Sequence, residues 1–143
     1  MKKLVFILLA ALTLYSCSTD DDSQNIEYDY AFIATNDFPS EFDFGETYTV
    51  NLGYTLETGC HQFSHLNVQA PGPNDDDQLE VYFSVITTVR TGNACEDVPG
   101  SIQSTSFEIT ADRTQDYKFY LLTGVNADDE PIFEEIVVPV VEE

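Results

Sequence analysis

The stretch from Glu46 to Leu56 reads ETYTVNLGYTL and alternates apolar with polar or small residues along its whole length. The apolar positions are every second residue: Tyr48, Val50, Leu52, Tyr54 and Leu56. A repeat of two places successive side chains on opposite faces of a strand, whereas it cannot keep them on one face of a helix. The segment therefore predicts a β-strand that turns one face toward a core.

The same alternation recurs on both sides of this strand. Further strands are predicted near residues 28–34, 61–70, 79–89, 102–110, 117–125 and 132–141. The 79–89 strand has one face made of Leu79, Val81, Phe83, Val85, Thr87 and Val89, and the 117–125 strand has Tyr117, Phe119, Leu121 and Val125 on one face and Tyr120 and Leu122 on the other. Loops rich in Gly, Pro, Asn and Asp separate them, and Pro139 places the last strand at a sheet edge because proline lacks a backbone donor. No segment has a convincing helical period. We expect an all-β domain, an antiparallel β-sandwich of about seven strands, whose pattern resembles the immunoglobulin-like group.

One short motif bears on that resemblance. Asp116–Phe119 reads DYKF, which resembles the tyrosine corner of immunoglobulin-like domains with Tyr117 as its tyrosine. Simple strand alternation explains the same four residues equally well, so both interpretations stay open. The chain has no tryptophan, and it lacks the cysteine pair that joins the two sheets of antibody domains. An antibody-type domain is therefore not expected.

The N-terminal segment has the form of an export signal. Lys2 and Lys3 precede the apolar run 4–14, which is too short to span a bilayer, and Cys17 follows where a signal peptidase would cut. Leu14–Cys17 resembles the lipobox of bacterial lipoproteins, and this resemblance implies that Cys17 carries the lipid anchor, with acyl chains such as palmitate. The alternative is an ordinary secretory signal that leaves a free thiol.

The predicted organisation follows from that cleavage point. Residues 1–16 form the signal peptide, 17–26 the lipidated cysteine and an acidic tether, and 27–143 the β-sandwich domain. The run Ser18-Thr19-Asp20-Asp21-Asp22 resembles the signal that sends lipoproteins of Bacteroidota-type bacteria to the outer face of the outer membrane. The alternative interpretation is a solvated linker, extended because its charges repel. We expect a lipid-anchored protein of the outer membrane, exposed at the cell surface.

The charge excludes several partners. The chain carries 26 acidic and 5 basic residues, a net charge of −21. Removing residues 1–16 would leave three basic residues and a net charge of −23. Such a charge excludes nucleic acid and anionic lipid surfaces as binding partners, because both are themselves negative. A basic protein, a cation or a glycan remains a candidate.

Two cysteines remain beyond Cys17. Cys60 and Cys95 fall in loops that an up-and-down strand count puts at the same end of the sandwich, and an exported protein meets an oxidising compartment. We expect a disulfide between them. A reactive redox pair is the alternative, but neither cysteine belongs to a Cys-x-x-Cys motif.

Metal and catalytic motifs are weak. His61 and His65 stand four apart on a predicted strand, which separates them by about 13 Å, so surface histidines are expected and no metal centre is. The runs Asp75-Asp76-Asp77 and Asp128-Asp129-Glu130 lack the spaced calcium-loop pattern and allow at most a weak calcium site. No phosphate loop, nucleophile elbow or dinucleotide fingerprint occurs. No cofactor and no enzymatic activity are expected.

A candidate binding surface lies at the sandwich end away from the tether. It combines Phe38, Phe42 and Phe44 with Asp75, Asp76 and Asp77. Exposed rings beside carboxylates would suit a glycan or a basic protein, whereas rings that cap the core would leave no site, and phenylalanine is more often buried. The sequence thus predicts a surface module that binds or scaffolds without catalysis. The alternative is a calcium-dependent adhesive or carbohydrate-binding module.

Overall fold

The computed structural model describes residues 26–70, 79–90, 95–96, 98 and 101–142. Within these ranges every regular element is a strand, so the predicted all-β class is confirmed. No helix there is long and apolar enough to cross a membrane. The strands are β1 (Ile26–Asn36), β2 (Phe42–Asp43), β3 (Thr47–Thr55), β4 (His61–Gln69), β5 (Leu79–Arg90), β6 (Ile102–Thr110), β7 (Tyr117–Val125), β8 (Pro131–Val138) and β9 (Val140–Val141).

Strand β1 belongs to both layers of a β-sandwich. Its first half, Ile26 to Ala31, pairs with β5, and from Phe32 onward it pairs with β3. The front sheet therefore contains the first half of β1 with β4, β5, β7 and β8, and the back sheet contains the second half of β1 with β3 and β6. A bulge in β1 faces Gly53, where a Cβ would overlap the Thr35 hydroxyl. Glycine at position 53 lets the two strands approach at this crossing.

The seven long strands alternate in direction along the chain, as the up-and-down count predicted. Strands β5 and β7 consequently run the same way, and they pair directly as parallel neighbours from Leu79↔Tyr117 to Phe83↔Leu121. The short strands β2 and β9 are also parallel, with Pro139 separating β9 from β8. The sheet is thus mixed, in contrast to the wholly antiparallel pairing that we expected. Sequence alternation reports which face a residue occupies but not which strand lies beside it.

The core lies between the two sheets and is rich in aromatic rings. Val81, Phe83, Val85 and Thr87 of β5 point inward, as predicted, and pack with every second residue of β3 and β7. Phe83 in the front sheet and Phe107 in the back sheet bring their ring centroids within 4.5 Å of each other. This contact joins the two layers directly.

Tyr117 forms the corner that its sequence motif suggested. Its side chain is 1% exposed at the start of β7. The hydroxyl donates to Asp112 Oδ1 at 3.0 Å and to the Thr110 carbonyl at 3.4 Å, and it accepts from the Asp112 backbone N–H. A tyrosine that bonds back to the chain upstream, across the connection between two strands, has the geometry of a tyrosine corner. Simple strand alternation does not account for these hydrogen bonds, whereas a tyrosine corner does.

The disulfide lies where the sequence predicted it. Cys60 and Cys95 are bonded, with their Cα atoms 5.5 Å apart. A hydrogen bond from the Gly59 backbone N–H to the Glu96 carbonyl reinforces the same connection. The bridge joins the β3–β4 turn to the segment between β5 and β6. It fixes the end of the sandwich at which β1 begins.

Candidate functional site

The predicted phenylalanine surface is not present as one exposed patch. Phe42 is fully buried, and Phe38 stacks on Phe119 with centroids 4.5 Å apart. Only Phe44 is exposed, beside a depression of about 450 Å³ lined by the 43–48 segment. Two of the three rings therefore cap the core. Their predicted partners Asp75, Asp76 and Asp77 lie outside the described residues, as do Cys17, Ser18, Thr19, Asp20, Asp21 and Asp22.

A different surface, on the outer face of the front sheet, has the features of a binding site. Strand β5 pairs with β7 up to Phe83 and with β1 from Val85 onward, so Ser84 stands between two different neighbours. Here the sheet opens into a groove of about 350 Å³. We call it the aromatic groove; its walls include Tyr30, Asn67, Gln69, Tyr82, Ser84 and Phe133.

The rings at the aromatic groove come from four strands, and three of the rings contact one another. Tyr82 and Tyr120 stack with centroids 4.6 Å apart, and Phe133 meets Tyr82 edge to face at 5.4 Å. Tyr30 and Phe133 are 56% and 38% exposed, so both offer free ring surface. Leu122 lies beneath them and is only 3% exposed. Neighbouring rings hold the walls of the groove in place, because such ring pairs are attractive.

The polar groups of the groove are mostly uncharged. The Asn67 side-chain amide donates to the Ser84 hydroxyl at 3.1 Å, which fixes the amide against the floor. Gln69 adds a second, exposed amide, and Asp129 at the edge is the one carboxylate in the described lining. Asp129 has a positive φ of 60° in the β7–β8 turn, which is organised by the Asn126 side chain accepting from the N–H groups of residues 128 and 130. The groove thus offers both donors and acceptors.

The tyrosines at one edge of the groove remain protonated at physiological pH. The Tyr120 hydroxyl donates to Glu135 at 2.8 Å, and this hydrogen bond, with burial and nearby negative charge, raises the pKa of Tyr120 to about 12. Burial, with the charge of Glu80 and a hydrogen bond to it, also raises the pKa of Tyr82. Both rings consequently present uncharged faces and hydroxyls.

One group of potential metal ligands converges elsewhere in the described part of the chain. Asp29, Glu57 and His61 place their ligand atoms within 4.8 Å of one another. His61 is 8% exposed, so the expectation of a surface histidine is wrong for His61, whereas His65 is exposed as predicted. The predicted calcium candidate at residues 128–130 is a hydrogen-bonded turn, with the Asn126 amide donating to Glu130.

Sequence reasoning missed both of these groupings. The alternation of β7 did place Tyr120 and Leu122 opposite Phe119, but no sequence signal shows that Tyr82, Phe133 and Tyr30 join them across strands. Their meeting depends on the parallel β5–β7 pair and on the change of neighbour at Ser84. The strand spacing gave no reason to pair His61 with His65, and it could not reveal carboxylates arriving from β1 and the β3–β4 turn.

Comparison of the chain with models of protein families, with curated proteins and with solved structures found no match.

Proposed function

We propose that the domain is a cell-surface binding module that takes a neutral glycan in the aromatic groove. The observation that carries this proposal is the juxtaposition of exposed rings, Tyr30 and Phe133, with the amides of Asn67 and Gln69. The axial C–H groups of a sugar ring form an apolar face that stacks on an aromatic ring. Sugar hydroxyls at the same time exchange hydrogen bonds with amides. The groove supplies both kinds of contact within one opening.

The charge of the groove supports a neutral glycan over an acidic one. Asp129 is its one carboxylate among the described residues, and no lysine or arginine occurs in that lining. The whole chain carries a net charge of −21, so an anionic ligand would approach against a repulsive field. A sulfated or uronate-rich glycan is therefore disfavoured.

Binding without turnover is the second element of the proposal. Glycoside hydrolysis generally requires two carboxyl groups on opposite sides of the scissile bond. The described groove contains Asp129 alone, and the Ser84 hydroxyl is held by the Asn67 amide rather than by a base. These features support a module that holds its ligand without acting on it.

The glycan proposal is tested with a paired ring deletion. The mature chain carrying Cys17→Ser is titrated with a panel of neutral and acidic polysaccharides. We expect Phe133→Ala to weaken binding of a neutral polysaccharide about fivefold, because a lost ring contact costs about 1 kcal/mol. Phe44→Ala is the matched control, since it removes an exposed ring, 50% against 38% for Phe133, that lies outside the groove.

Two results would contradict the proposal. Equal affinity loss in Phe133→Ala and Phe44→Ala would remove the groove as the site. Binding only to a basic protein, weakened strongly by salt, would favour the basic partner instead, because exposed charge pairs are screened.

We further propose that Cys17 anchors the protein to the outer membrane by its lipid. This rests on the sequence from Lys2 to Cys17 and on the acidic run after it. Two acyl chains or more hold a protein on a membrane, because each buried methylene contributes about 0.8 kcal/mol. Cys17→Ser should move the protein into the soluble fraction, and unchanged membrane partitioning would exclude the anchor. Replacing Asp20, Asp21 and Asp22 with Ala should keep it membrane-bound but remove its sensitivity to external protease.

A further inference from the structure

The group formed by Asp29, Glu57 and His61 lies at the sandwich end that carries the disulfide. Asp29 of β1 and His61 of β4 flank β5 on opposite sides, paired with Thr87 and Val89 respectively. Glu57 comes from the turn between β3 and β4, which returns from the back sheet. The three ligand atoms thus approach one point from three separate segments. This group is separate from the aromatic groove. Its Asp29 and the groove's Tyr30 are adjacent in sequence but lie on opposite faces of β1.

The distances suit a small metal ion. His61 Nε2 lies 3.5 Å from Asp29 Oδ2, and every pair in the group is within 4.8 Å. A tetrahedral ion with bonds of about 2.1 Å places its ligand atoms about 3.4 Å apart. The His61–Asp29 pair already has this separation, and Glu57 needs only a small side-chain rotation because it is exposed.

We propose that Asp29, Glu57 and His61 form a binding site for a divalent transition-metal ion of the Zn²⁺ class. An imidazole nitrogen beside carboxylate oxygens suits zinc and its neighbours, whereas calcium takes six to eight oxygen ligands. Three protein ligands leave one tetrahedral position for water. Within the described residues, no lysine or arginine forms an ion pair with Asp29 or Glu57, so their negative charge is available to the ion.

The surroundings orient two of the ligands. Asp29 Oδ1 accepts from the Tyr30 backbone N–H at 2.8 Å, which leaves Oδ2 directed at His61. His61 Nδ1 lies 2.8 Å from the Thr58 hydroxyl and 3.2 Å from the Thr58 backbone N–H. The Thr58 backbone N–H donates to Nδ1, so Nδ1 accepts in this arrangement and the proton of the neutral ring lies on Nε2, toward Asp29. A metal on Nε2 requires that proton to move to Nδ1, where the Thr58 hydroxyl accepts it and the contact with the Thr58 backbone N–H is given up. Such an outer partner fixes the ring of a ligating histidine.

The covalent frame beside the group limits its movement. Cys60, directly before His61, is bonded to Cys95, and its backbone N–H donates to the Thr58 hydroxyl. The disulfide therefore holds the turn that contributes Glu57, Thr58 and His61. A bound ion would tie this turn to β1 and stabilise the end of the sandwich where β1 starts.

The test uses Zn²⁺ itself with the disulfide-intact mature chain carrying Cys17→Ser, in moderate salt so that diffuse cation attraction is screened. We expect one saturable equivalent of Zn²⁺ by calorimetry and a rise in melting temperature on binding. Glu57→Gln and Asp29→Asn should each weaken binding by at least about tenfold. Glu134→Gln, an exposed charge removal on β8, should leave the affinity unchanged.

A second readout avoids any unfolding of variants. In the unmutated domain, the ring signals of His61 should shift in nuclear magnetic resonance spectra on addition of Zn²⁺, while those of His65 stay in place. Four results would overturn the proposal: no saturable binding, equal effects in Glu57→Gln and Glu134→Gln, shifts at His65 instead of His61, or Ca²⁺ binding as tightly as Zn²⁺.

Discussion

The inner and outer faces of the front sheet carry two aromatic clusters that are built from the same strands. Phe83 of β5 and Phe119 of β7 point inward. Their sequence neighbours Tyr82, before Phe83, and Tyr120, after Phe119, point outward. The inner cluster is buried and contains mostly phenylalanine. The outer cluster is half-buried, and its hydroxyls contact carboxylates.

Ring distances do not distinguish the two clusters. Phe83 and Phe107 lie 4.5 Å apart inside, and Tyr82 and Tyr120 lie 4.6 Å apart outside. The difference is what surrounds them: apolar side chains on every side of the inner rings, and open solvent on one side of the outer ones. Burial of apolar area dominates folding free energy, so the inner cluster should determine stability. The outer cluster keeps free ring surface, which is what recognition requires.

The largest expected effect is on the inner face. Phe119→Ala should lower the free energy of unfolding by about 3–5 kcal/mol, because it removes a fully buried ring and leaves a cavity. Tyr120→Ala, one residue away, should cost about 1 kcal/mol, mainly its stacking on Tyr82. Both are measured by denaturant unfolding. If Phe119→Ala does not fold, Phe119→Leu serves in its place, with an expected cost of about 1.5 kcal/mol.

Equal losses of stability in Phe119→Ala and Tyr120→Ala would mean that the outer cluster is part of the structural core. That result would also weaken the argument for a ligand on that face, since rings needed for packing are not free for binding.

The sequence predicted the inner face well. Alternation identified Val81, Phe83 and Val85 as one face of β5, and it assigned Tyr117 and Phe119 to one face of β7. These assignments follow from the pleat alone, which is a local property of each strand. The disulfide was also predictable, because the strand directions alternate as counted and bring Cys60 and Cys95 to one end.

The outer face and its groove were beyond such reasoning. The groove arises because β5 changes neighbour from β7 to β1 at Ser84, and β1 changes sheet at its bulge beside Gly53. Neither change of neighbour alters the alternation of apolar and polar residues in the sequence. Two of the three phenylalanines of the 38–44 segment cap the core, which is the alternative favoured by the usual burial of phenylalanine.

An intermediate effect on stability is expected from removing a tyrosine hydroxyl, which can be done on the inner and on the outer face of the front sheet. Tyr117→Phe should lower the free energy of unfolding by about 1–2 kcal/mol, because it removes the buried hydroxyl that hydrogen-bonds the Asp112 carboxylate and the corner backbone. Tyr120→Phe removes a hydroxyl that contacts exposed Glu135 and should cost less than about 0.5 kcal/mol. Denaturant unfolding of the two variants side by side measures the difference. Equal losses would show that the tyrosine corner contributes nothing beyond its ring.

The smallest expected effect is electrostatic and concerns the outer cluster alone. The pKa of Tyr120 is about 12, raised above its usual value by the hydrogen bond to Glu135, by burial and by neighbouring negative charge. In the unfolded chain the same phenol titrates near 10. A raised folded pKa means that the contribution of Tyr120 to stability is complete below about pH 10 and is lost as the pH rises toward about 12.

Ultraviolet titration of the phenolate checks this directly. Glu135→Gln should bring the pKa of Tyr120 back toward about 10, because it removes both the carboxylate acceptor and its charge. Tyr120→Phe identifies the titrating ring by its loss from the curve. A titration in which Glu135→Gln changes nothing would contradict the Tyr120–Glu135 hydrogen bond, and with it the claim that this wall of the groove is held in place. If the pKa does fall, the hydroxyl is held by Glu135 through the physiological range, and Tyr120 supports Tyr82 as a fixed, uncharged ring.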